Sequence, residues 1–127
     1  MKNGEPQLGV ITKVTLGMED HGIWTFFLFF DFGGSGQGFG GFCLDEWHAE
    51  SNRRLGTAAG MDAMMRICYA AGVREWSDLS GRSMFVEREG GWNGSIIAIE
   101  APPFIKGGGR FSVKEWRDAW FPEVETS

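Results

Sequence analysis

The chain has 127 residues, a net charge of −5, 43% hydrophobic and 23% charged residues, the profile of one globular domain spanning 1–127. An acidic balance excludes the broad Lys/Arg footprint that a nucleic-acid polymer requires, while a small phosphate-bearing ligand needs only two or three placed cations. No stretch reaches the roughly 18 apolar residues of a membrane span, and no signal-peptide pattern precedes the first strand. Gly is 20 of 127, about twice the usual share. Eleven Phe and six Trp stand against one Tyr, so large rings are expected against bare backbone.

Leu8 to Leu16 alternates, with Leu8, Val10, Val14 and Leu16 on one side and Lys13 and Thr15 on the other, the pattern of a half-buried strand. Gly17 to Gly22 is turn chemistry. Ile23 to Phe32 is an extended aromatic run, apolar on both faces, which predicts a central strand covered on its second face by helices or by another subunit. Gly33-Gly34 predicts a turn into a glycine-laden return strand that continues through Phe42, Cys43 and Leu44. Asp45 to Arg54 reads as an exposed polar loop. Thr57 to Ala71 is the main helix, capped by Thr57, stopped by Gly72, and presenting Met61, Met64, Met65, Cys68 and Ala71 to the core. Ser83–Glu89 and Ser95–Ala101 predict a hairpin around Trp92-Asn93-Gly94. Ser112 caps a short final helix through Trp120. The order β-β-β-α-β-β-α, with short connections, predicts an α+β fold with an antiparallel sheet of about five strands. Cys43 and Cys68 are expected to be reduced, buried thiols.

Gly36-Gln37-Gly38-Phe39-Gly40-Gly41 matches G-x-G-x-x-G. A dinucleotide fingerprint requires a helix to open there, and strand is predicted instead. His21, in Glu19-Asp20-His21-Gly22, reads as a turn whose acids and His bond backbone amides, with a pocket-rim contact as the alternative. No G-x-S-x-G elbow is present, and no Cys or His stands at metal-ligand spacing. No catalytic group, metal or cofactor is expected. Glu87 and Glu89, like Glu123 and Glu125, read as solvated pairs.

Arg53-Arg54-Leu55-Gly56-Thr57 places two cations before a helix N-terminus, where orphan amides and the helix dipole favour anions. An ordinary capped loop is the alternative. Phe85, Trp92 and Asn93 join rings and an amide, with Arg110, Lys114 and Arg117 following; rings stack on a base and an amide reads a base edge. These are parts of a nucleotide pocket, or else a ring at the core edge and a cationic helix.

The segments GMEDHGI, DFGGSGQGFGG, RLGTAAGMD and GGWNGSIIAI resemble phage anti-Thoeris proteins of the first described type, over about Gly9 to Trp120. The resemblance implies a sponge in the cytoplasm of the infected bacterium. Such proteins hold glycocyclic ADP-ribose, the alarm molecule of TIR-domain proteins, without cleaving it. The family forms hexamers built from dimers and carries separate sites for cyclic trinucleotides of the CBASS system. By position, Phe85 and Asn93 would be its ring-and-amide pair, with Trp92 or Trp24 as further stacking rings, His21 at the rim, and Arg110 and Lys114 as phosphate cations. The family pattern carries arginine where Lys114 stands, and lysine lacks the planar fork. Arg54, Gly56 and Thr57 would belong to the trinucleotide site, near an axis where subunits meet. A protein-binding inhibitor of a host defence enzyme is the rival expectation.

Overall fold

The aromatic run organises the sheet. In the computed structural model, which describes residues 5–91 and 94–122, the strands are β1 (Gln7–Met18), β2 (Trp24–Asp31), β3 (Gly36–Gly40), β4 (Asp45–His48), β5 (Arg53–Gly56), β6 (Ser83–Arg88), β7 (Ile96–Glu100) and β8 (Arg110–Ser112). Helices α1 (Ala58–Ala71) and α2 (Val113–Trp120) follow β5 and β8, and Trp76–Leu79 forms a 3-10 turn. Six strands pair in the order β3-β2-β1-β6-β7-β8, and β4-β5 form a separate hairpin. Every neighbouring pair is antiparallel. The α+β class and both helices stand as expected, but three strands were missed: β4 and β5 in the segment read as a loop, and β8 before α2.

Three departures have clear causes. Residue Thr12 is extra in β1, since Ile11 pairs with Phe30 and Lys13 with Phe29. This bulge reverses the facing, so Leu8 and Val10 share the open face while Val14 packs against the core. The strand predicted through Leu44 ends at Gly40, because Gly40 and Gly41 take φ of 140° and 80°, values open to glycine. The methionine stripe is core only in part: Met64 and Cys68 pack against the core and Ala71 is buried, but Met61 is 58% and Met65 40% exposed. The fully buried side of α1 is Ala59, Gly60, Ala63, Ile67, Ala70 and Ala71. Small residues there let the helix approach closely, and a Cβ on Gly60 would stand 2.7 Å from Leu44 Cα.

The sheet curls around one core of Phe26, Leu28, Phe30, Met84, Val86, Ile99 and Phe111. Gln37 on β3 reaches past two strands, accepting from Arg88 Nε at 2.7 Å and donating to the Gly94 carbonyl at 2.9 Å. Arg88 is buried beneath Phe32, its guanidinium 4.6 Å from the ring centroid, and burial lowers its pKa. Both helices cover the concave face. Trp116 of α2 donates Nε1–H to the Ala59 carbonyl at 2.9 Å, and Trp120 does so to Asp62 at 2.7 Å. The convex face is covered by neither helix, leaving Leu8 47%, Val10 39% and Phe29 37% exposed.

Candidate functional site

Two places gather residues singled out by the sequence. The first lies where α1 begins. Thr57 caps the helix, accepting from Gly60 N–H at 3.0 Å, while its own hydroxyl donates to the Leu44 carbonyl at 3.3 Å. Trp24, at the start of β2, is tied to the same segment because Leu44 N–H donates to the Trp24 carbonyl at 2.9 Å. The β4–β5 register sets Arg54 opposite Trp47, with Asp45 opposite Gly56. Trp24, Asp45, Arg54, Gly56, Thr57 and Met64 thereby line one cavity of about 280 Å³.

Asp45 was missed by the sequence reading, which placed it in an exposed loop. It is buried, and its carboxylate accepts from Arg54 Nε at 2.8 Å and Nη2 at 3.0 Å. The Trp24 amide donates to it as well, at 3.3 Å. The Arg54 fork is the main reason that the Asp45 carboxyl sits below its ordinary pKa, and Asp45 in turn raises that of Arg54. A bidentate pair fixes the plane of the guanidinium, so Arg54 is pre-positioned at the cavity wall. Its local charge is balanced. Cys43 belongs to this cluster, with its thiol donating to the Asp45 carbonyl at 2.9 Å and Arg54 Nη2 at 3.7 Å from its sulfur. Cys43 is exposed rather than buried, because the chain leaves the sheet at Gly40; both cysteines are free thiols.

The second place is the convex face of the sheet. Phe85 on β6 pairs with Glu100 on β7, and Glu100 pairs with Arg110 on β8. Phe85 and Arg110 therefore point the same way, about 10 Å apart at two strand spacings. Arg110 Nη1 bonds both Glu87 and Glu100 at 3.2 Å. Glu87 is thus a partner of Arg110 rather than a solvated strand position. Partial burial opposes the charge of Arg110, but its bonds to Glu87 and Glu100 outweigh this and raise its pKa. Arg110 also borders a cleft of about 360 Å³ with Arg66 and Ser112.

The remaining candidates stand apart. Lys114 Nζ bonds Asp118 one helical turn on, at 2.6 Å, with both side chains exposed. His21 lies in the β1–β2 turn, where Glu19 accepts from the His21 and Ile23 amides at 2.6 and 3.2 Å. The His21 ring bonds Glu19 at 3.1 Å, which is the main cause of that carboxyl's lowered pKa. Trp92 and Asn93, like Glu123 and Glu125, lie outside the described residues. The G-x-G-x-x-G run lies on β3 and the turn after it, with no helix opening there. No protein-family model, curated protein or solved structure matches the chain.

Proposed function

We propose that the chain binds and sequesters a cyclic nucleotide immune signal without cleaving it, as a phage anti-defence sponge in the cytoplasm of an infected bacterium. The observation that carries this reading is the convergence of Trp24, Arg54 and the start of α1 on one cavity. Trp24 offers a ring face to a base. Arg54 offers its remaining N–H groups to a phosphate, and the helix dipole adds to them. The cavity takes one base-and-phosphate unit, of glycocyclic ADP-ribose or of a cyclic trinucleotide. The uncovered convex face supports self-association, as a dimer or hexamer, which would exclude water from neighbouring sites and strengthen each charged contact. Among the described residues, no helix is long and apolar enough to cross a membrane.

A heat-shift screen tests the reading. A cyclic nucleotide at a hundred times its Kd would stabilise the fold by about 2.7 kcal/mol, a rise of roughly 10 °C. Heating the complex should return the compound intact. Silence with glycocyclic ADP-ribose and all cyclic trinucleotides, or return of a hydrolysed product, contradicts the proposal. The rival reading, inhibition of a host defence enzyme by direct contact, draws on Trp47, which stands exposed on the separate β4–β5 hairpin. Nucleotide silence together with enzyme binding lost in Trp47→Ala would favour it.

A further inference from the structure

The outward side of α1 carries a second cavity, which shares Met61 and Met64 with the first. Met65, Cys68, Tyr69, Val73 and Trp76, together with Met61 and Met64, wall a groove of about 780 Å³ between α1 and the 3-10 turn. Volumes of this order, with apolar walls and few polar groups, are those of small-molecule sites. Unbranched thioethers reshape readily around an apolar guest. Burial raises the pKa of the Cys68 thiol, with Asp78 adding to the shift, so that wall stays neutral. Arg74 is the single charged residue lining the groove, and it makes no ion pair among the described residues. Trp76 keeps a buried Nε1–H that has no acceptor there.

We infer that this groove is a binding site for an amphipathic carboxylate, of which a medium-chain fatty acid is the simplest form. The apolar chain lies along the methionines and the carboxylate meets Arg74. One cation beside an apolar wall, with no acid among the lining residues and no ion pair of its own among the described residues, favours a single negative charge on an apolar body. A neutral ligand of the same length loses the charged contact, and a polyanion finds too little positive charge.

Calorimetric titration of the full chain with decanoate and with decanol tests this. Decanoate is expected to bind saturably, and decanol roughly tenfold more weakly for want of one charge-assisted bond. Arg74→Gln should bind the two alike, Arg74→Lys should keep the preference, and Met65→Gln should weaken both ligands. Both positions are exposed, so the heat-unfolding midpoint should stay unchanged in each variant. Absence of saturation by decanoate overturns the inference, as does a preference that survives in Arg74→Gln. Sedimentation velocity should give the same mass for Met65→Gln as for the unaltered chain. A smaller mass would make the groove a seam between copies and overturn it too.

Discussion

Arg54 and Arg110 both meet carboxylates, and they are not equivalent. Arg54 meets one buried acid, Asp45, through two of its nitrogens. Arg110 is bracketed on an open sheet face by two acids, Glu87 and Glu100, through one nitrogen. The first cluster is neutral and bidentate, beside a ring and a helix start. The second carries a net charge of −1 and is screened by solvent. On the proposed reading, an incoming phosphate would meet a prepared donor in one place and net repulsion in the other. A cation in a sequence is therefore no measure of anion binding until its acidic neighbours are known.

The largest expected effect comes from breaking the first cluster. Arg54→Ala should weaken nucleotide capture by roughly 30-fold, the worth of a charged hydrogen bond, and Trp24→Ala by roughly tenfold through lost stacking, both measured by calorimetry. Next, Glu87→Gln together with Glu100→Gln should release Arg110. Affinity for inorganic pyrophosphate, followed by NMR shifts of the Arg110 side chain, should rise about fivefold. No rise would mean that the second cluster is not held back by its acids. Asp45→Asn should cost about 1–3 kcal/mol of stability, since the part-buried Arg54 guanidinium loses its charged partner. Urea unfolding measures this.

Acid titration gives a smaller contrast. The pKa of Asp45 is lower folded than its ordinary 3.8, so near that pH the unfolded chain binds more protons. Stability contributed by the pair is complete above that value and lost as pH falls through the folded pKa. Asp45→Asn should flatten the acid limb of a stability–pH curve. The smallest effect belongs to Lys114, whose surface pair with Asp118 contributes no more than roughly 0.5 kcal/mol. Lys114→Ala should barely move the unfolding midpoint or nucleotide affinity.

Much of the fold was legible because its signals are local. Thr57 and Gly72 bound α1 through cap chemistry alone. The glycine turn after β2 and the paired runs around residues 83–100 follow from period-2 alternation. What escaped depends on contacts distant in sequence. The bulge at Thr12 changes no residue type, so simple alternation assigned Leu8 and Val14 to one side. The α1 face was misassigned at Met61 and Met65 because methionine outranks alanine in hydrophobicity, whereas close approach at Gly60 to the Leu44 backbone and burial of Ala63 decide the facing. At the site, Arg54, Gly56, Thr57 and Trp24 were legible as types but divided between two sites, and one cavity holds them. Asp45 left a weak trace: an acid after an apolar run, nine residues before Arg54, with a Ser51-Asn52 turn between them. Asn52, at φ 55°, supports that turn.

The most direct test titrates the unaltered chain, Arg54→Ala and Lys114→Ala with a cyclic trinucleotide and with glycocyclic ADP-ribose by calorimetry. The account predicts tight binding of one of these ligands by the unaltered chain and by Lys114→Ala, and a loss of roughly 30-fold in Arg54→Ala. Undiminished binding by a folded Arg54→Ala would contradict it.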